Sequence, residues 1–440
     1  MSTEIRPVKP GELADYLKVL PFANGLPHWE PYPAAWHGGQ EAWPQPNSPA
    51  TAAQLAAWAD ELTEAPYFHP QAAIVDGRVV GGSAMLSLEV TVPGGRPVPL
   101  GGVTSTAVVA THRRRGLLRL MMQAMFDEAR ERGEPLAGLS ASEGSIYGRY
   151  GYGPATRRTR WEIDRAQARF TAGQAPGGSP PAGSPPAGRL EITDAATARD
   201  AWRAVHEAVR ASRVGELSAP PDRWSDLSDE SSGPAGPRRY LVHRDPGGTV
   251  DGVANYRLPW SPRAEEAGTL VVEGLQAASA DAYLAMWQLL LDFDLTRKVI
   301  AAPRPSDEPL RWMLDDPRAM RVTRQSDSLW IRLLDVRAAL AARTYETGGT
   351  LVLGIESDPM CPGNAGAWRL DGGPDGAACA RVTATPDLVI DLPALGSLYL
   401  GGMSASLLAS AGRIRGDRES VGLLSRMFRT DPEPFNTFVF

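Results

Sequence analysis

Three short stretches hold residue types whose spacing suits chemistry. The first is HRRRGLL, residues 112–118, where three consecutive arginines meet a glycine just ahead of a helical apolar pattern. A helix start has unpaired first-turn N–H groups and the positive end of the dipole, and a glycine lets backbone come close to a ligand, so this turn can bind an anion such as a phosphate. A basic surface turn would carry the same residues. The GxxxxGK[ST] phosphate loop is absent. The second stretch is IYGRYGY, residues 146–152, which sets Tyr147, Tyr150 and Tyr152 in a Gly-containing segment as phenol donors or as packing groups. The third is PFNTFVF, residues 434–440. Chain ends are usually polar and mobile, so Phe435, Phe438 and Phe440 invite a reason, the simplest being a tail that seals a domain.

Around the arginines the elements are legible. Residues 103–110 alternate β-branched and small side chains like a strand. Leu117, Leu120, Met121, Ala124 and Met125 then recur at helical spacing, with Arg119, Gln123, Asp127 and Arg130 on the other face. Gly133 and Pro135 end that helix and LAGLSA from Leu136 supplies a second strand. The result is a strand, turn, helix and strand unit. Upstream, two β-rich runs flank Pro93, Gly94 and Gly95 as a hairpin. An N-terminal strand and helix precede a stretch rich in Trp and Pro. Residues 171–188 (TAGQAPGGSPPAGSPPAG) have almost nothing to bury and read as a flexible spacer or long loop.

Composition bounds the rest. A chain of 440 residues exceeds one core and predicts two to four domains. Its 43% hydrophobic and 22% charged content is that of ordinary globular proteins. The formal charge of −6, with aromatics that do not interleave with the arginines, disfavours a nucleic-acid binder. Two cysteines, Cys361 and Cys379, give no disulfide framework or zinc spacing, and His28, His69, His112, His206 and His243 show no ligand pattern, so no metal is expected. No signal-like N-terminus and no long apolar run is present, which predicts a cytoplasmic protein without membrane contact.

VVATHRRRGLL followed by LSASEGSIYGRYGYGPAT, residues 139–156, resembles the Eis-type (enhanced intracellular survival) N-acetyltransferases, a branch of the GCN5-related superfamily. Arg113 and Gly116 match the superfamily's (Q/R)xxGx(G/A) pyrophosphate signature. Its last position departs, being Leu118, although leucine there is similar to the Eis branch itself. The resemblance implies an α/β (α+β) architecture of two tandem GCN5-related acetyltransferase-like folds and a sterol-carrier-protein-like domain. On this chain that places an acetyl-CoA-binding domain at 1–165, a Pro/Gly-rich spacer at 166–188, a degenerate second fold at 189–325 without an RxxGxG-like turn, and the carrier-like domain at 326–440.

What the resemblance implies for function is transfer of acetyl from acetyl-CoA, as co-substrate, to primary amines of polycationic acceptors, aminoglycosides among them. The C-terminal carboxylate, here that of Phe440, would act as general base and Tyr147 as general acid. Acetyl-CoA would lie against Thr106, Ala107 and Val108, then Arg113, Arg114, Arg115, Gly116, Leu117, Leu118 and Arg119, with Ser142 and Glu143. Trp29, Glu30 and Trp36 offer aromatic walls and a carboxylate for a bulky cation. Family members are hexamers, and a homo-hexamer is the implied assembly. Two other readings stand beside this one: a lipid-binding or scaffolding protein with relic acetyltransferase modules, and an acetyltransferase of protein lysines or polyamines.

Overall fold

The computed structural model describes residues 2–20, 52–171, 188–220, 224, 236–259 and 268–440. The chain divides into two units. One holds the segments up to Thr156 together with Asp327–Phe440, and the other runs through Arg157–Ser326.

The first unit is built on a seven-stranded sheet of β1 (Thr3–Pro7), β2 (Phe68–Val75), β3 (Arg78–Val92), β4 (Arg96–Val108), β5 (Leu136–Ser140), β6 (Gly153–Pro154) and β14 (Leu329–Leu333), ordered β1-β2-β3-β4-β5-β14-β6. Between β3 and β4 lies the expected turn at Pro93, Gly94 and Gly95, with both glycines at positive φ. Helices α1 (Leu13–Lys18), α2 (Ala52–Thr63), α3 (Leu117–Glu131) and the single turn α4 (Gly144–Tyr147) accompany this sheet. The buried stripe of α3 consists of Leu117, Met121, Met122, Met125, Phe126 and Ala129. Leu120, placed on that stripe by its spacing, is 46% exposed. The helix is rotated so that adjacent pairs, Met121 with Met122 and Met125 with Phe126, face the sheet.

Also in this unit is a five-stranded sheet of β15 (Gly349–Ile355), β16 (Gly366–Gly373), β17 (Gly376–Val382), β18 (Leu388–Ile390) and β19 (Ile414–Gly416), ordered β17-β16-β15-β18-β19. Arg343 is buried there with no carboxylate partner among the described residues. Its guanidinium donates to the backbone oxygens of Thr344, Tyr399 and Phe428 and lies over the rings of Tyr345 and Phe428, so carbonyl dipoles and ring faces replace its water.

The second unit has its own seven-stranded sheet: β7 (Arg157–Asp164), β8 (Arg189–Thr193), β9 (Arg239–Arg244), β10 (Val250–Arg257), β11 (Thr269–Ala277), β12 (Lys298–Arg304) and β13 (Met320–Asp327), ordered β13-β7-β12-β11-β10-β9-β8. Helices α5 (Ala195–Arg210) and α6 (Ala280–Asp292) cover it, and Trp161, Tyr256, Trp287 and Leu290 sit in its core. The two sheets therefore do not follow chain order. Residues 157–164, next in sequence after β6, pair in the second unit, and β14 returns to close the first sheet between β5 and β6.

Candidate active site

The site forms where two parallel strands separate. β4 pairs with β5 only at Leu100, Gly101 and Gly102, against Leu136, Ala137 and Gly138. Beyond these, β4 continues to Val108 while β5 ends at Ser140. On its other side β4 stays paired with β3, where the register shifts between Gly82/Ala107 and Ala84/Thr104 and Ser105 takes a φ of 51°. The bulge twists β4 away from β5. Thr106, Ala107 and Val108 thus line a strand edge that no strand covers among the described residues, and edge amides of this kind bind extended ligands. Thr106 is fixed by a hydroxyl contact of 2.6 Å to Ser83.

At the far end of β4 the arginine turn opens α3. Gly116 is the N-cap residue, with φ 80° and ψ 0° and no capping side chain. That left-handed conformation suits glycine over any residue with a Cβ. The first intrahelical bond in this turn runs from Leu120 N to Gly116 O at 3.1 Å, so the earlier amides have no intrahelical acceptor. Arg113, Arg114, Arg115 and Arg119 are exposed, Leu117 is buried and Leu118 is half-buried. Arg113 Nε donates to Val108 O at 3.3 Å and Arg115 Nη2 to Thr111 O at 3.1 Å, which holds the turn's shape. The arrangement is a positive, uncapped helix start suited to a pyrophosphate.

Beyond β5, exposed Ser142 and Glu143 lead into α4 and to Tyr147. Tyr147 is buried, and its ring meets Tyr152 edge-on at 6.3 Å between centroids. Burial raises the Tyr147 pKa, opposed in part by a hydrogen bond with the Ser142 side chain. Tyr150, half-buried, is raised by burial as well, whereas Tyr152 is fully enclosed, pushed far up, and its hydroxyl lacks a partner among the described residues. Of the three phenols, Tyr147 is the one that hydrogen-bonds the Ser142 side chain just beyond β5.

The tail enters the same region. Phe435 and Phe438 are buried, and Asn436 between them is fully enclosed. Its Oδ1 accepts from the hydroxyls of Thr156 at 2.6 Å and Ser328 at 2.9 Å, while its Nδ2 donates to Phe438 O at 2.6 Å. The Thr156 hydroxyl in turn accepts from Leu329 N at 2.9 Å. Burying each phenylalanine contributes about 1.5–3 kcal/mol, and these bonds fix its direction. Phe440 then lies with its ring against Gly102: a Cβ at Gly102 would fall 2.6 Å from a ring carbon of Phe440 and 2.9 Å from Leu88. Gly102 is the residue of β4 where pairing with β5 stops.

Residues 102–108 lie along the β4 side of the splay and 113–119 at the helix start beyond it, Ser142 and Glu143 follow β5 and lead to Tyr147, and the ring of Phe440 reaches Gly102. Trp29, Glu30 and Trp36 lie outside the described residues. Sequence reasoning overlooked Gly102, Thr156, Ser328 and Asn436. One signal was available, since an asparagine between two buried phenylalanines must be met by specific partners.

Comparison with known proteins separates the parts. An acetyltransferase (GNAT) domain model matches residues 34–155, another matches 215–337, and a sterol carrier protein domain model matches 336–437. An uncharacterised N-acetyltransferase of Streptomyces coelicolor is 41% identical over 342 residues, covering 76% of this chain and 79% of that one. The N-acetyltransferase Eis of Mycobacterium tuberculosis is 35% identical over 364 residues, covering 82% and 86%. The chain belongs to the Eis-type N-acetyltransferases. The crystal structure of Eis1 from Mycobacterium abscessus superposes with a TM-score of 0.79 at 32% identity, over 99% of this chain and 100% of that one. In this Eis-type acetyltransferase the two acetyltransferase folds are the sheets of β1–β6 with β14 and of β7–β13, and the sterol-carrier-like domain is the β15–β19 sheet with its helices. No helix among the described residues is long and apolar enough to cross a membrane, and none of their His, Cys, Asp and Glu side chains cluster in threes as a metal site would.

Proposed function

We propose that this protein transfers acetyl from acetyl-CoA to a primary amine of a polycationic acceptor, aminoglycosides being the acceptor class, at the gap between β4 and β5. The observation that carries the reading is the succession along one strand of the ring of Phe440 at Gly102, an edge left open on the β5 side and an uncapped arginine-flanked helix start. The exposed Arg113, Arg114, Arg115 and Arg119 fit the phosphates of CoA, with the first-turn amides after Gly116 beside them. The edge of Thr106, Ala107 and Val108 offers N–H and C=O groups to the pantetheine amides and a donor to the thioester carbonyl. Acetyl-CoA supplies the activated acyl group, and the protein's own residues position it and move protons.

An acceptor amine with a pKa near ~10 is mostly charged at neutral pH, so a nearby anion both attracts it and, directly or through water, removes its proton. The α-carboxylate of Phe440 is assigned that role. Desolvation would make such a carboxylate a better base than one in bulk water. Tyr147 is assigned the complementary one, proton donation to the leaving thiolate, for which a phenol held neutral by burial is suited. Ser142 accepts or donates at the phenol and orients it. The homo-hexameric assembly and a cytoplasmic location are part of the same proposal.

Release of CoA, followed with a thiol reagent, tests this with an aminoglycoside, spermidine and a lysine peptide as acceptors. The wild type is expected to turn over the aminoglycoside fastest. A chain lacking Phe440 should lose roughly 10²–10⁴-fold in kcat while acetyl-CoA still raises its Tm. Preference for the lysine peptide would favour protein acetylation. An unchanged rate after the deletion would place the base elsewhere.

A further inference from the structure

The strongest feature outside the β4–β5 gap is a cavity of about 220 Å³ in the first unit, lined by Gly148–Gly151, Arg332, residues 355–360 and 389–393, Arg413 and Arg415. Neither β4, the arginine turn nor Phe440 contributes to it. Four guanidinium groups and three carboxylates line it. Arg413 pairs with Asp391, Arg415 with Glu356 and Arg332 with Asp358, which leaves Arg149. Among the described residues Arg149 has no ion-pair partner, and its Nε donates only to Ser145 O at 3.2 Å.

The pairs differ in what they leave free. Asp358 is saturated: it accepts from Arg332 Nη2 at 2.8 Å, from the amides of Met360 and Cys361 at 3.1 and 3.0 Å, and from Asn364 Nδ2 at 3.0 Å. Arg332 is not. It directs Nη2 to Asp358, makes a side-chain hydrogen bond with Cys361, lies over the Phe126 ring with Nη1 against Gly151, and its buried Nε has no hydrogen-bond partner among the described residues. A buried guanidinium with an idle donor is costly unless something accepts from it. Arg413–Asp391 and Arg415–Glu356 are exposed pairs, weak enough that a competing oxyanion can draw on the same arginines. The lining therefore carries one net positive charge and an excess of planar donors, the chemistry that recognises carboxylate or phosphate. Ile355, Met360, Val389, Ile390 and Leu392 line the rest of the wall, so the charged groups set the chemistry recognised while apolar side chains bound the space.

We propose that this cavity is a binding site for a small oxyanion, a carboxylate or phosphate compound, separate from the acetyl-transfer gap and independent of the acetyl-transfer reading. Its floor, Gly148–Gly151, directly continues the turn that carries Tyr147.

The test is isothermal titration of the full chain with inorganic phosphate and, separately, with citrate, for wild type, Arg149→Ala and Arg113→Ala, with circular dichroism confirming that each is folded. The proposal expects saturable binding of at least one anion by wild type, weakened roughly tenfold or more by Arg149→Ala and unchanged in Arg113→Ala, the two arms telling a phosphate-type from a carboxylate-type ligand. Loss in Arg113→Ala with retention in Arg149→Ala would assign the anion to the helix start and overturn the proposal. So would the absence of saturable binding of either anion.

Discussion

The two acetyltransferase folds repeat one strand, turn, helix and strand unit and finish it in opposite ways. In the first, β4 and β5 separate after Gly102 and Gly138, and on the β5 side the β4 edge from Val103 to Val108 has no strand beside it among the described residues. In the second, β11 and β12 pair in parallel from Thr269/Lys298 to Val272/Ala301 and then separate likewise. There the protein's own side chains fill the space. Arg304, at the end of β12, donates through Nη1 to Leu275 O on β11 at 2.6 Å, and it is held by Glu308, which also accepts from the Tyr283 hydroxyl. The turns differ in the same sense. Residues 109–116 present three arginines and an uncapped Gly116. After β11 only Ala278 and Ser279 precede α6, and the Ser279 hydroxyl accepts from Ala282 N at 3.1 Å while donating to Asp251 at 2.5 Å. Orphan polar groups at a strand splay and a helix start must be met by something. A fold that meets them internally becomes structural, and one that leaves them open is fitted for a ligand.

The sharpest break of that contrast would come from Tyr147→Phe beside Tyr283→Phe. The first removes the proposed acid and should reduce kcat by roughly 10²–10⁴-fold at unchanged acetyl-CoA affinity. Tyr283→Phe should leave kcat unchanged, since its hydroxyl serves a buried carboxylate in the second unit. The pH dependence carries a sign. Donation requires the neutral phenol, the form present below its pKa, and burial raises that pKa above the usual ~10. No alkaline loss of kcat due to Tyr147 should then occur between about pH 6 and 9. An alkaline limb in that range that vanishes in Tyr147→Phe would mean the phenol is easily ionised, and the acid role would fail.

Next in size is Arg304→Ala, which leaves Glu308 buried and unpaired. Truncating one partner of a buried ion pair costs about 3–5 kcal/mol, read as a fall in the denaturant midpoint. If the second fold is purely structural, the protein that remains folded should bind acetyl-CoA with wild-type affinity. A selective loss of acetyl-CoA binding with little loss of stability would assign the second gap a ligand role and undo the comparison.

How much of this was legible beforehand follows from locality. The turn at Pro93–Gly95, a strand over 103–110 that the structure ends at Val108, a helix from Leu117 and a strand from Leu136 all follow from nearby residues, because turn chemistry and apolar period act over a few positions. The exchange that places residues 157–164 in one sheet and 329–333 in the other was not, since strand partners are chosen by tertiary packing. Alternation along Arg157–Asp164 says which faces are buried, not beside which strand. Arg304 is similar. The sequence showed that no RxxGxG-like turn recurs in the second fold, but that an arginine from the far end of β12 bridges to Leu275 depends on a contact across the splay. The tail was half legible: its phenylalanines announced burial, whereas its destination at Gly102 is set by Asn436 meeting Thr156 and Ser328, residues more than a hundred positions away.

The smallest effect tests the helix starts themselves. Ser279→Ala removes both the cap on Ala282 N and a donor to Asp251, which also holds His243 Nδ1 at 2.6 Å. Loss of a serine cap costs about 0.5–2 kcal/mol, and a lowered Tm of the second unit is the expected readout. Gly116→Ser, the reciprocal change, offers a capping hydroxyl where none exists, but at a φ of 80° the new Cβ is strained by about 1–2 kcal/mol, so the hydroxyl cannot add a clean gain. If α3 is left uncapped for a ligand, Gly116→Ser should weaken acetyl-CoA binding while Ser279→Ala leaves it untouched. Equal effects on binding from both would show that the two helix starts do the same work, and the distinction between an open and a filled unit would have to rest on the strand gaps alone.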